Sequence, residues 1–132
     1  MRNPEELKTI MVVEPEVLVR MVVAEYLRDC GYKVIEAMAA EDVWTVLDSG
    51  HHLDVVMTDA KLAGDGGGFS LASRIRQTHP DIDVILTSGI AGAAHESYEL
   101  CQDGPIKKPY DPRDVEVRIR MLLERRRAAS MS

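Results

Sequence analysis

The sequence has only two cysteines, Cys30 and Cys101, and they lie far apart in the chain. Neither forms a Cys-x-x-Cys pair, so the spacing of a structural zinc site or of a dense disulfide framework is absent. We therefore expect two reduced, partly buried thiols.

The chain also lacks long apolar runs and an excess of basic residues. No apolar stretch approaches the roughly 18 residues of a membrane span, and residues 1–13 lack the apolar segment and the cleavage site of a signal peptide. Acidic residues outnumber basic ones by 22 to 16, and the net charge of −6 argues against nucleic acid or an anionic membrane as the main partner. These features predict a cytoplasmic protein.

What the sequence does contain is a regular alternation of short β-rich runs and helical patterns. The runs are continuous Val, Ile and Met segments, which are typical of a parallel sheet covered on both faces by helices. The five predicted strands are residues 9–13, 33–37, 53–58, 83–87 and 104–108. The fourth connection, residues 90–103, has the least regular helical pattern.

Right-handed crossovers between these strands predict a five-stranded, doubly wound α/β fold with five helices. We assign residues 1–128 to this single domain and expect residues 129–132 to form a disordered tail. Within this frame, Gly31 is predicted to end the first helix, and Asp111 followed by Pro112 is predicted to begin the last one.

Polar residues follow the predicted strands at the sheet edge where open α/β sheets bind ligands. They are Glu14 at the end of strand one, Asp59 at the end of strand three, Thr87-Ser88 at the end of strand four and Lys107-Lys108 at the end of strand five. Because the carboxyl ends of parallel strands share one edge, these side chains should converge. Two carboxylates, a hydroxyl and an ammonium in one crevice indicate a functional site.

Three fragments in this order resemble the receiver domain of two-component response regulators. They are VVMTDAKLAGDGGGFSLASRIR around Asp59, VILTSG around Ser88 and IKKPYDP around Lys108. The resemblance covers nearly the whole chain and implies a flavodoxin-like fold with strand order 2-1-3-4-5. It also implies a phosphorylatable signalling switch, not an enzyme, that receives its phosphoryl group from a histidine kinase or a phosphotransfer protein.

The resemblance assigns a role to each residue of the phosphoryl site. Asp59 would be the phospho-acceptor, Ser88 the hydroxyl that bonds the phosphorylated aspartate, and Lys108 the contact to phosphate and carboxylate. Such chemistry calls for a hard cation with oxygen ligands, because a carboxylate must approach a charged phosphoryl group, and Mg²⁺ suits this task.

The expected metal site departs from the family's pattern at Pro15. Receivers usually carry two adjacent acids after strand one, whereas this sequence has an acid followed by proline, which cannot bind a cation through its side chain. The remaining candidate ligands are Glu14, Asp59, the backbone carbonyl of Lys61 and Glu16. We therefore expect Mg²⁺ to bind weakly.

The resemblance places the output face on the fourth helix, the fifth strand and the last helix, around Tyr98, Lys107 and Arg113. Because the sequence ends soon after the last helix, we expect a stand-alone receiver that signals by contact with an unknown downstream protein. Neither nucleic acid nor a membrane is an expected partner. Pro105 stands where the family usually has an aromatic switch residue, so the relay to this face should differ.

Two other interpretations compete with the phosphorylatable switch. The first is a pseudo-receiver, an interaction module that has lost efficient phosphorylation. Pro15 and Pro105 favour it, whereas Asp59, Ser88 and Lys108 favour the switch. The second is a phosphatase with an aspartyl nucleophile. Such an enzyme needs an acid two residues after the nucleophile as a general acid/base, and Lys61 occupies that position.

Overall fold

A computed structural model describes residues 7–62, 67–88 and 106–131. Its parallel sheet has the order β2-β1-β3-β4-β5, formed by β1 (Thr9–Val13), β2 (Lys33–Ala37), β3 (Val55–Asp59), β4 (Asp83–Ser88) and β5 (Ile106–Lys107). The helices in these ranges are α1 (Val17–Asp29), α2 (Ala40–Asp48), α3 (Gly67–Thr78) and α4 (Pro112–Met131). The predicted fold class and strand order are confirmed.

The strand β1 shows why the apolar runs of the sequence are continuous. Ile10 and Val12 pack in a cluster with α1 and α4, whereas Met11 and Val13 pack in a second cluster with α2 and α3. Successive side chains of a strand point to opposite faces, so a strand covered on both sides must be apolar at every position. All residues of β1 are accordingly buried.

Parallel pairing brings the carboxyl ends of the strands to one edge of the sheet. Asp59 at the end of β3 lies opposite Thr87 of β4, and Ser88 lies opposite Lys107 of β5. Glu14 follows the end of β1, and its N–H donates to the carbonyl of Ala37 at the end of β2, at 2.9 Å. The edge predicted to carry the site therefore forms as expected.

Two of the predicted helix boundaries are confirmed by their geometry. Gly31 follows α1 with a φ of +98°, the left-handed conformation that glycine adopts without strain. Pro112 begins α4, and the Asp111 carboxylate accepts a hydrogen bond from the N–H of Arg113 at 2.9 Å. This is the cap that Asp-Pro predicts.

Other details differ from the predictions. The helix α4 continues to Met131, so residues 129–131 are helical where the sequence predicts a disordered tail. Alanine has the highest helix propensity, and the Ser130 hydroxyl donates to the carbonyl of Arg127 at 2.9 Å, which extends the helix beyond the domain core. Cys30 is exposed instead of partly buried.

The predicted fourth helix, Tyr98, Cys101 and Pro105 lie outside the described residues. In the ranges that the structure does describe, no helix is long and apolar enough to cross a membrane.

Gly68 lets the start of α3 approach the backbone that carries Asp59. A Cβ at this position would overlap the Asp59 carbonyl oxygen and lie 2.8 Å from the Cα of Ala60. Because these obstacles are backbone atoms, they cannot rotate away. We expect Gly68→Ala to lower the free energy of unfolding by about 2–3 kcal/mol, as measured by urea denaturation followed by circular dichroism.

Gly50→Ala is the matched control for this prediction. An added Cβ at Gly50 meets nothing within 4 Å, and only its φ of +86° is unfavourable for alanine, which should cost about 1 kcal/mol. If Gly68→Ala and Gly50→Ala lost the same free energy of unfolding, the close approach of Gly68 to the backbone at Asp59 would not contribute to stability.

Candidate functional site

The Lys108 ammonium joins two buried acids at the carboxyl edge of the sheet. Its Nζ donates to Asp59 Oδ2 at 2.6 Å and to Glu14 Oε1 at 2.7 Å. The Oε1 of Glu16, a largely exposed residue, lies farther away at 3.8 Å. Because only 2% of Glu14 and 7% of Asp59 are exposed, the ammonium replaces water as the partner of both carboxylates.

The remaining oxygens of the two acids accept backbone hydrogen bonds. Asp59 Oδ1 accepts from the N–H of Lys61 at 2.7 Å, and Glu14 Oε2 accepts from the N–H of Glu16 at 2.9 Å. Each of the carboxylate oxygens therefore has a donor. This arrangement satisfies the buried charges and fixes the rotamers of both acids.

The environment of Lys108 keeps its side chain protonated. Burial alone would lower the pKa of the ammonium, but the hydrogen bonds and negative charges of Asp59 and Glu14 outweigh this effect and raise the pKa above its ordinary value. Lys108 is thus a fixed positive charge beside Asp59 throughout the neutral pH range.

Backbone bonds from β4 hold the neighbouring segments of the site. The carbonyl of Ser88 accepts from the N–H of Lys108 at 3.0 Å, and the carbonyl of Thr87 accepts from the N–H of Ala60 at 2.8 Å. Ser88 is itself buried at the end of β4. The strand therefore aligns the segments after Asp59 and before Pro109, and it carries the predicted hydroxyl to the same edge.

The residues predicted to hold a hard cation have oxygen atoms, which Mg²⁺ prefers. Glu14 and Asp59 lie together at this edge with every carboxylate oxygen hydrogen-bonded within the protein, and the metal-binding role of these acids and of the Lys61 carbonyl stays a prediction. Pro15 is exposed in the turn after β1 and offers no side-chain donor. Within the described part of the chain, no three His, Cys, Asp or Glu side chains are grouped closely enough to hold a metal ion by themselves.

Of the residues predicted for the output face, the two that the structure describes, Lys107 and Arg113, do not take part in this cluster. Lys107 is exposed on β5, and the Arg113 guanidinium pairs with Asp111, with Nη2 lying 2.7 Å from Oδ2. Their role in output stays a prediction, as does that of Tyr98.

An apolar groove of about 480 Å³ opens beside Lys108 and Glu16, between α1 and the segment that begins α4. Its apolar walls include Leu18, Val22, Pro109, Tyr110 and Pro112. Leu18 and Val22 are 76% and 57% exposed, which is unusual for large apolar side chains.

Two further residues at the site, Arg20 and Tyr110, were not predicted from the sequence. Arg20 Nη1 donates to the carbonyl of Glu14 at 2.8 Å, and its only signal in the sequence is its position in the first turns of α1. The Tyr110 hydroxyl is buried and has no hydrogen-bond partner among the described residues. Burial, followed by the negative charge of Glu14, raises the pKa of Tyr110 to about 12.

A parallel sheet in this order, with an acid and lysine cluster at its carboxyl edge, defines a flavodoxin-like class of α/β domain. Residues 10–120 match the family model described as the response regulator receiver domain, and the chain belongs to this family. It is 31% identical over 121 residues to the sensor kinase CckA of Brucella abortus, an alignment that covers 89% of this chain and 13% of the kinase.

The phosphate regulon transcriptional regulatory protein PhoB of Pseudomonas aeruginosa is 27% identical over 122 residues, which cover 89% of this chain and 52% of that protein. This chain therefore spans about half of the length of PhoB and a much smaller part of the length of the sensor kinase. Among solved structures, a CheY-like receiver domain protein from Methanospirillum hungatei has a TM-score of 0.83 at 24% identity, covering 94% of this chain and 99% of that one. A response regulator receiver protein from Sinorhizobium medicae has a TM-score of 0.80 at 25% identity, covering 92% and 98%.

Replacing Lys108 by methionine should destabilise the fold in a pH-dependent way. The two buried carboxylates would lose their shared counter-charge, which should cost about 3 kcal/mol of unfolding free energy at pH 8. Without the ammonium, the carboxylates repel each other and the folded state binds a proton more tightly than the unfolded state. The loss should therefore shrink between pH 8 and pH 5, as measured by urea denaturation.

Lys107→Met is the control, because Lys107 is the exposed neighbour of Lys108. It should change the unfolding free energy by less than about 0.5 kcal/mol at either pH. A Lys108 variant that behaves like this control would contradict the importance of the ion cluster.

Proposed function

We propose that this protein is a receiver that accepts a phosphoryl group on Asp59 from a histidine kinase or a phosphotransfer protein and signals by contact with another protein. The observation that carries the proposal is the pairing of the buried Asp59 carboxylate with the Lys108 ammonium at 2.6 Å. Membership of the receiver family supports the same function.

In the proposed transfer, a carboxylate oxygen of Asp59 attacks the phosphorus atom of a phosphohistidine. The P–N bond breaks, its electron pair remains on the imidazole, and an acyl phosphate forms on Asp59. Lys108 supplies a positive charge that offsets the repulsion between the carboxylate and the phosphoryl oxygens. Ser88, at the end of β4, is proposed to donate its hydroxyl to the new phosphoryl group.

Mg²⁺ is the proposed cofactor, held by Glu14, Asp59 and the Lys61 carbonyl, with Glu16 as a further candidate. When bound, it would neutralise part of the phosphoryl charge. Pro15 removes one carboxylate from the usual set, and the Lys108 ammonium already occupies the space between the two acids. We therefore propose that the affinity for Mg²⁺ is low.

The lack of a carboxylate at Pro15 and the position of the Lys108 ammonium between the two acids also favour a second candidate. This candidate is a pseudo-receiver that is phosphorylated poorly or not at all. In this state Lys108 would act as a permanent internal cation in the acidic site. The fold would then present a constant surface to its partner. The two candidates differ in one measurable property, the chemical competence of Asp59.

Exposure to a small phosphoryl donor such as acetyl phosphate, with excess Mg²⁺, tests this competence by intact-protein mass. We expect the wild type to gain one phosphoryl group and Asp59→Ala to gain none. Pro15→Asp should be labelled at a lower Mg²⁺ concentration, because it restores a carboxylate ligand. If only Pro15→Asp is labelled, the pseudo-receiver is correct; if neither protein is labelled on Asp59, the phosphoryl-acceptor proposal fails.

We further propose that the phosphodonor protein docks on the apolar groove beside the site. The donor must bring its phosphohistidine to Asp59, and the groove shares Lys108 and Glu16 with the site. The exposed apolar side chains of Leu18 and Val22 would be covered by this contact. The downstream partner would instead contact Lys107, Arg113 and Tyr98.

Leu18→Glu tests the docking site because it places a charge on the groove without touching the acids. With a phosphorylated histidine phosphotransfer protein that labels the wild type, we expect labelling to slow about tenfold. Labelling by acetyl phosphate should not change. The control is Val117→Glu, because Val117 is also an exposed apolar residue but lies on α4, outside the groove. It should leave labelling by the phosphotransfer protein and labelling by acetyl phosphate unchanged. An equal effect of Leu18→Glu and Val117→Glu would rule out the groove as the docking site.

A further inference from the structure

Glu14 is held by hydrogen bonds at every one of its polar groups. Its N–H donates to the Ala37 carbonyl at 2.9 Å, and its carbonyl accepts from Arg20 Nη1 at 2.8 Å. Its carboxylate accepts from Lys108 and from the N–H of Glu16. Bonds to the backbone on both sides of the Glu14 Cα therefore fix the position from which its carboxylate reaches Lys108.

Arg20 is itself fixed between two elements. Only 13% of its side chain is exposed, and its Nε lies 3.4 Å from Glu36 Oε1 on β2. Glu36 also pairs with Arg28, whose Nη1 lies 3.1 Å from Oε2. Arg20 thus connects β2 to the turn after β1, whereas the Arg28 guanidinium, among the described residues, donates to Glu36 and to the Val34 carbonyl, both on β2.

Among the hydrogen bonds of the turn after β1, the one to the Glu14 carbonyl comes from the Arg20 side chain. Pro15 has no N–H to donate, and Glu16, the N-cap residue of α1, makes no side-chain cap bond. The backbone ladder of α1 begins at the Glu16 carbonyl, which accepts from the Arg20 N–H at 3.0 Å, whereas the Glu14 carbonyl accepts from the Arg20 side chain.

We propose that Arg20 is a positioning residue for the Asp59 site. By binding the Glu14 carbonyl, its guanidinium fixes the Glu14 carboxylate, which in turn holds the Lys108 ammonium against Asp59. The effect on phosphorylation rests on the proposed function, whereas the effect on the geometry of Glu14 does not.

The geometric effect is tested by amide hydrogen exchange at Glu16, whose N–H donates to the Glu14 carboxylate. We expect Arg20→Met to speed exchange at this amide about fivefold, since a hydrogen bond of ordinary strength is weakened. Arg28→Met is the matched control: it removes a second arginine from the same acid, Glu36, and should leave Glu16 exchange at the wild-type rate. Arg20→Lys, which keeps the positive charge and one nitrogen donor, should restore most of the protection.

The proposal is overturned if the Glu16 amide of Arg20→Met exchanges at the wild-type rate. It is also overturned if this amide exchanges as fast in Arg28→Met as in Arg20→Met. If Arg20→Met does not fold, Arg20→Lys and Arg28→Lys give the same comparison with a smaller difference. Labelling by acetyl phosphate is the second measurement, and Arg20→Met should be labelled about fivefold more slowly than Arg28→Met. If the wild type is not labelled at all, the proposed phosphorylation fails while the exchange measurement still decides the role of Arg20.

Discussion

A single ammonium group makes it possible to bury two carboxylates at one edge of the sheet. Lys108 donates to both Glu14 and Asp59, and backbone N–H groups bind the remaining oxygens. An unpaired buried carboxylate would be costly, so the positions of the three strand ends are linked through this one cation. The cluster draws on three segments: the turn after β1 carries Glu14, the end of β3 carries Asp59, and the segment after β5 carries Lys108.

The fold could be predicted from the sequence because its signals are local. The apolar runs defined the strands, and Gly31 and the Asp111-Pro112 pair marked helix ends. The convergence of Glu14, Asp59 and Lys108 also followed from parallel topology alone. The helical residues 129–131 were missed because an exposed terminal helix has no apolar pattern to reveal it.

The supporting contacts of the site could not be predicted in the same way. The bond from Arg20 to the Glu14 carbonyl depends on the direction of one peptide group, and many surface arginines occupy similar positions in other helices. The need for Gly68 depends on the close approach of α3 to the backbone at Asp59. Both contacts depend on distances between backbone segments in the folded protein. The sequence specifies the residue types but not these distances.

The bonds made by Lys108 connect parts of the chain that are far apart in sequence, since 94 residues separate it from Glu14 and 49 separate it from Asp59. The strands β1 and β5 are not neighbours in the sheet. During synthesis, the first acid therefore emerges from the ribosome long before its counter-ion. A nascent chain that ends before Lys108 lacks the cation that makes burial of both carboxylates favourable, so the segment after β5 completes folding as well as the site.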